Sequence, residues 1–326
     1  MGDGQEIDGR ARPRGDRFRL AVPCSTSNLG PGFDQLGLCL SLFLHVEVGP
    51  RPAGQPQVVA HSSPSGPSSS GPEPSPDWPE PGRDLLLRAF ERSAGPRAQE
   101  AQLIVDSEIP IGRGLGSTGA AVAAGLLLGR AWCGELEPDR RGLLNAGIEL
   151  EGHPDNVTAS LFGGCTVCVP IAGEPAPLIQ VDVHPDLGFA AAWPREPLAT
   201  ARARAVLPDR VPFADAVENA RRVPLLLEGL RTGNPALLRH GTSDLLHEPY
   251  RLGLLPGASR ALDAARQAGA FAANISGAGS ALVAIGPPAR RDEIARAMAD
   301  ELRAATGWAA GRPLDVVRAA PVVERT

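Results

Sequence analysis

One stretch constrains this chain more than any other. Ile109-Pro-Ile-Gly-Arg-Gly-Leu-Gly-Ser-Thr-Gly119 runs directly into the apolar segment 120–128. Glycines at 112, 114, 116 and 119 let the backbone approach a ligand without Cβ clashes. The helix behind them presents free N–H groups and the positive end of its dipole, which together make an anion site. Ser117 and Thr118 add hydroxyls where a phosphate-bound magnesium would sit. Two readings share this composition: a nucleotide triphosphate loop, and an ordinary glycine-rich turn from strand to helix.

The absence of lysine narrows the chemistry. All 32 basic residues are arginine. The lysine-dependent phosphate loop is therefore excluded. So are Schiff-base and pyridoxal-phosphate chemistry, which need a lysine amine, and the protein-kinase signature. Arg113 is the one cation inside the loop.

A formal net charge of -5 argues against a nucleic-acid or anionic-membrane partner. No apolar run approaches the ~20 residues of a membrane span. Residues 1–16 are polar, lack the apolar core of a signal peptide, and read as a disordered tail. The cysteines, at 24, 39, 133, 165 and 168, are odd in number and follow no disulfide spacing. Cys165 and Cys168 lie in a strand-like run without a second pair for zinc, so buried reduced thiols are expected, in a cytoplasmic protein.

Residues 61–82 form a Pro/Ser-rich stretch that cannot bury apolar surface, and they read as a flexible insertion within a domain. Strands are expected at 18–22, 42–48, 103–105, 163–171, 178–183, 189–193, 281–285 and 315–323. Helices are expected at 84–94, 117–132, 138–152, 213–231, 234–243, 258–269 and 290–306. The helix at 117–132 is apolar nearly all round and should be buried. Strands and helices without a regular βαβ rhythm indicate an α+β fold, with a boundary near Gly173.

Five more segments carry chemistry. Asn28 and Asp34 flank a Gly-Pro-Gly turn that would aim both side chains at one point. Glu149-Leu-Glu-Gly-His-Pro-Asp-Asn156 gathers carboxylates, an imidazole and an amide between two helices. Thr200-Ala-Arg-Ala-Arg204 offers a hydroxyl and two guanidiniums. His247-Glu-Pro-Tyr-Arg251 and the small-residue turn Ser276-Gly-Ala-Gly-Ser280 complete the set. Each alone also has a structural reading, as a capped helix, a solvated face or a plain turn.

In this order the segments resemble the GHMP small-molecule kinases and, within them, the homoserine kinase family. The resemblance runs from about residue 19 to 323. It implies a two-domain α+β architecture: a ribosomal-protein-S5-like N-terminal domain (17–172), which binds ATP, and a ferredoxin-like C-terminal domain (173–326). Pro110, Ile111, Gly112, Arg113, Gly114, Leu115, Gly116, Ser117 and Thr118 correspond to the ATP-phosphate motif. Gly277, Ala278 and Gly279 belong to the motif that packs against it.

The implied acceptor is L-homoserine, a zwitterion with a primary hydroxyl, phosphorylated with ATP and Mg2+ on the way to threonine. Asp34 is matched to its ammonium, and Arg204 and Arg251 to its carboxylate. Asn28, His153, Asn156 and Thr200 are matched to the hydroxyl and the γ-phosphate. A homodimer is implied as well. Asn156 stands where several relatives have a catalytic Asp, so no strong enzyme base is expected. For the metal, Ser117 or Thr118 would act with an acidic residue. Asn145 occupies one family position for that acid, and Glu149, one turn later on the same helix face, is the substitute. Asp84 and its neighbours are a guess for the adenine contact. The rivals are a GHMP kinase for another small alcohol, such as mevalonate, and a catalytically silent ligand sensor of the same fold.

Overall fold

The computed structural model describes residues 16–60 and 78–326; most of the tail and of the 61–82 insertion lie outside the described residues. The chain runs β1 (Phe18–Asn28), β2 (Gly32–Pro50), β3 (Val58–Ala60), α1 (Leu85–Ala94), β4 (Ala101–Ser107), α2 (Ser117–Trp132), α3 (Arg140–Glu151), α4 (Asp155–Phe162) and β5 (Cys165–Cys168). It continues through β6 (Leu178–Val181), β7 (Gly188–Pro194), α5 (Thr200–Ala205), α6 (Phe213–Thr232), α7 (Pro235–Gly241), α8 (Glu248–Arg251) and α9 (Ala258–Gln267). The last elements are β8 (Ala272–Ile275), β9 (Leu282–Gly286), α10 (Arg291–Thr306), β10 (Ala309–Leu314) and β11 (Glu324–Arg325).

Two sheets divide these elements. The first has the order β11-β1-β2-β4-β3, with β5 on β2 and β6 on β5. Along β1 and β2, Phe18, Leu20 and Val22 face Val48, Val46 and Leu44. All six are buried, as the alternation of a half-buried strand requires. Helix α2 is buried along nearly its whole length and forms the centre of the larger core with Leu86, Phe90 and Leu103. The second sheet has the order β10-β7-β9-β8, antiparallel throughout. With α10 between β9 and β10 this is the ferredoxin-like arrangement, over its own core of Ile275, Leu282, Met298 and Leu302. The fold is the two-domain α+β architecture expected.

Several expectations are corrected. Residues 315–323 do not form a strand; they contribute one bridge, Val316 to Leu40, and cross back to the first sheet. Val317 N donates to the Cys39 carbonyl at 3.1 Å, and Gly164 N donates to the Val317 carbonyl at 2.8 Å. The strand lies earlier, as β10, where its partner β7 is available. The first sheet also recruits β6 and β11 from beyond residue 172. Strands β1 and β2 run on as far as the turn between them, because the polar run Ser25–Asn28 is buried in the sheet.

Asp84 is not free to meet a base. It is buried and caps α1 through Leu86 N (2.9 Å) and Leu87 N (3.2 Å), while Trp78 Nε1 donates to its other oxygen at 2.9 Å.

Candidate active site

The glycine-rich loop enters α2 through left-handed glycines, with φ of 72° at Gly112, 82° at Gly114 and 67° at Gly116. No side chain caps the first turn of α2, so its amides and dipole face outward as an anion site. The turn 276–280 locks this loop from the other half of the chain. Ser276 Oγ donates to the Gly114 carbonyl (2.7 Å) and lies 2.9 Å from the Thr26 hydroxyl, and Ala281 N donates to the Arg113 carbonyl (2.7 Å). A Cβ on Gly114 would strike the Ser276 carbonyl and come within 2.9 Å of Gly279 N. Two loops some 160 residues apart in sequence are thereby fused into one backbone cradle.

The cradle opens on a cleft. Gly112, Gly114, Gly116, Ser117, Thr118, Gly277, Ala278 and Gly279 line it. Pro110 and Leu115 are buried in the protein interior, and Ile111 is half-buried without lining the cleft. Arg113 is turned away from it. Its guanidinium donates to the carbonyls of Ile111 and Arg195, so it braces the loop and its cation is not offered to phosphate.

The β1–β2 turn forms the opposite wall. Asn28 (φ 71°), Leu29 (46°) and Asp34 (56°) hold left-handed conformations without being glycine, a cost of order 1–3 kcal/mol each that is found where a site is preorganised. Asn28 Nδ2 donates to the Gly277 carbonyl (2.9 Å), and Asn28 Oδ1 accepts from Asp34 N (3.1 Å). Both side chains reach the cleft.

The turn before α4 and the first residues of that helix bring His153 and Asn156 beside them. Ser25 Oγ donates to Asn156 Oδ1 at 2.9 Å, and Asn156 Nδ2 lies 3.1 Å from Ser27 Oγ and 3.2 Å from Asp155 Oδ1. His153 Nδ1 contacts the same Asp155 oxygen at 2.8 Å. Burial works against a charged His153 ring, but the Asp155 hydrogen bond and the charges of Glu151, Asp155 and Asp34 outweigh it and push the pKa up to about 9. The ring is a cation at neutral pH.

Helix α5, short and absent from the sequence expectation, carries Thr200 and Arg204 to the cleft rim. Arg204 donates to both oxygens of Asp34, at 2.9 and 2.7 Å. Arg251, at the end of α8, is 1% exposed yet lines the cleft. It donates to the carbonyls of Ala203 (3.2 Å) and Gly277 (3.0 Å). Phe33 lies between the two arginines, 5.5 Å from the Arg204 guanidinium and 5.1 Å from that of Arg251.

Residues 84–164 match the family model described as GHMP kinases N terminal domain, and 226–304 match GHMP kinases C terminal. A homoserine kinase of Synechococcus sp. is 36% identical over 86% of this chain and 90% of its own length. That of Gloeobacter violaceus is 39% identical over 82% of this chain and 86% of its own. The chain belongs to the homoserine kinase family of GHMP kinases. Among solved structures, homoserine kinase from Cytophaga hutchinsonii superposes with a TM-score of 0.80 at 22% identity, covering 97% of this chain and 99% of its own. A mevalonate kinase from L. major in complex with R-mevalonate gives 0.63 at 14%, covering 98% and 100%. Both show the shared fold.

In this homoserine kinase family member, one expected metal ligand is not at the site. Glu149 points to the exposed side of α3, where it pairs with Arg92 at 2.6 Å. The carboxylate beside the loop is Glu151, whose Oε1 accepts from Thr118 Oγ1 at 2.9 Å. Its Oε2 is buried with no hydrogen-bond partner among the described residues. Burial pushes its pKa up to about 7, against the opposing pull of His153. A buried orphan carboxylate oxygen beside a loop hydroxyl suits a divalent cation. No cluster of three or more acidic, His or Cys side chains exists for a metal among the described residues. The Thr118 hydroxyl and the Glu151 carboxylate fit magnesium carried in on phosphates, which needs only one or two protein ligands.

Glu151, Asp155, Ser25 and Ser27 are the residues that sequence reasoning passed over. The signal for the first two lay inside the segment that was singled out.

Proposed function

We propose that this protein transfers the γ-phosphoryl group of ATP to the side-chain hydroxyl of L-homoserine. One observation carries the reading. Asp34, Arg204 and Arg251, the charges that complement an α-amino acid zwitterion, converge on the same cleft as the uncapped N-terminus of α2.

The α2 amides and the glycine cradle hold the nucleotide phosphates. Arg204 and Arg251 take the substrate carboxylate, and Asp34 takes its ammonium. The substrate zwitterion replaces the ion pair that Asp34 and Arg204 make with each other. Asn28, Asn156 and Thr200 orient the hydroxyl, and the His153 cation offsets charge on the γ-phosphoryl group. Thr118 or Ser117 and Glu151 would hold magnesium, which would supply charge neutralisation on the phosphates.

The reading invokes no strong enzyme base. Asn156 is an amide. His153 already holds its proton, and Asp155 Oδ1 is engaged by His153 and Asn156. The hydroxyl oxygen attacks phosphorus, the bond from phosphorus to the β–γ bridging oxygen breaks, and the hydroxyl proton passes to a phosphoryl oxygen or to water. Catalysis then rests on positioning and charge stabilisation. The reading carries with it a cytoplasmic enzyme of threonine biosynthesis.

The test is ADP release by the purified protein with Mg-ATP and L-homoserine, L-threonine, L-serine or mevalonate as separate acceptors. Turnover with homoserine well above the others is expected. Preference for mevalonate would leave Asp34 without a role and replace the substrate. ATP binding without turnover on any acceptor would make the protein a sensor.

A further inference from the structure

We propose that His247 is a positioning residue for the acceptor's carboxylate, its ring joining the β1–β2 turn to the guanidinium of Arg251. The inference rests on the homoserine reading above. His247 is fully buried at the N-terminal boundary of α8. Its Nε2 lies 2.8 Å from the Gly30 carbonyl, and its Nδ1 lies 3.3 Å from Arg251 Nη1. A carbonyl oxygen only accepts and a guanidinium only donates. Both contacts are therefore satisfied by one form of the ring, neutral with the proton on Nε2.

A second proton on Nδ1 would point at the Arg251 cation. Burial lowers the pKa in the direction this requires. Asp244, 3.6 Å from Nε2, the Gly30 carbonyl and the more distant Asp34 pull the other way.

The ring does more than bridge. It stacks on Phe33 with centroids 4.9 Å apart, and Phe33 is the ring both arginine guanidiniums approach. Gly30 lies in the turn that carries Asn28 and Asp34. The remaining bonds of Arg251 run to Ala203 on α5 and to Gly277 beside the phosphate loop. His247 is thus a link that, beside the Gly277 carbonyl shared by Asn28 and Arg251, holds the ammonium-reading turn and the carboxylate-reading arginine at a fixed separation. That separation is what selects an α-amino acid over a plain hydroxy acid.

The imidazole can be dissected. His247→Asn keeps an acceptor at the Nδ1 position and gives up the bond to Gly30. His247→Gln keeps a donor for Gly30 and gives up Arg251. His247→Phe keeps the stack and loses both bonds. Steady-state kinetics with L-homoserine and with ATP, beside melting curves, separate positioning from folding. For the Phe variant we expect the homoserine KM to rise ~10-fold or more, with the ATP KM within about twofold. Asn and Gln should each recover part of the loss.

An unchanged homoserine KM in the Phe variant would overturn the inference. So would parallel rises in both KM values with a lowered melting temperature. A wild-type protein that leaves homoserine unphosphorylated overturns the proposed function, and this inference with it. Wild-type turnover with an indifferent Phe variant overturns this inference alone.

Discussion

Arg204 grips Asp34 through both carboxylate oxygens, at 2.9 and 2.7 Å, across 170 residues of sequence. Each side chain is more than a third exposed, so the pair itself is worth only ~0–1 kcal/mol and yields readily to a better-matched ligand. A zwitterion supplies both missing partners at once. Asp34→Asn and Arg204→Lys should each raise the homoserine KM by ~10-fold or more while the ATP KM stays near its wild-type value. Lysine does not rescue, because it lacks the planar fork. An Arg204→Lys enzyme with a wild-type homoserine KM would remove Arg204 from the substrate contacts.

The glycine cradle has no room for a methyl group. At Gly116 a Cβ would collide with Ser25 Oγ and stand 2.9 Å from Asn156 Oδ1, and the residue is left-handed besides. Gly116→Ala should lower kcat/KM for ATP by ~100-fold or more (about 2.7 kcal/mol) and lower the melting temperature. Steady-state kinetics and calorimetry check this together. Near-normal ATP kinetics would mean that the loop relaxes freely and that the left-handed turn is unimportant to phosphate binding.

Magnesium dependence separates the two carboxylates of α3. Glu151→Gln should raise the magnesium concentration needed for half-maximal rate by ~10-fold or more, leaving the homoserine KM little changed. Glu149→Gln should have no such effect, because that side chain is occupied with Arg92 on the exposed face. The reverse pattern in a magnesium titration would return the metal to Glu149.

His153 ties activity and stability to pH in the same direction. Its folded pKa of about 9 lies above the ordinary 6.5. The stabilisation from its protonated form is therefore complete below about pH 6.5, and it is lost as pH rises to about 9. Wild-type kcat should decline through pH 9 as the cation beside the phosphoryl group disappears. His153→Gln should be slower at pH 7 and lack that decline. The difference in melting temperature between the two proteins should also shrink between pH 6.5 and 9. A His153→Gln profile parallel to wild type would assign the alkaline limb to another group.

The sequence foretold most where a residue's neighbours in the chain are also its neighbours in space. Helix α2 appears at Ser117–Trp132 as expected, because an apolar segment behind a glycine turn has few alternatives. Asn28, Asp34, His153, Asn156, Thr200, Arg204 and Arg251 line one cleft. Features decided by distant partners were not legible. Residues 315–323 look like a strand, but their pairing stops at the single Val316–Leu40 bridge. Arg113 looks like a phosphate-binding cation until the Arg195 carbonyl reaches it from 82 residues away. Glu149 shares the helix face of Asn145, but Arg92, 57 residues away in the chain, holds it on the exposed side.

The hydrogen bond from Ser276 to the Gly114 carbonyl reaches beyond nucleotide binding. Neither half of the chain owns a finished phosphate site, so the fold cannot be shuffled like a set of modules. A gene fragment ending before residue 276 would encode a glycine loop without its clamp. A chimaera that exchanges only the C-terminal half must bring a turn whose curvature matches a loop it did not evolve with. Drift in this lineage is therefore coupled: a change in one loop restricts what the other can become.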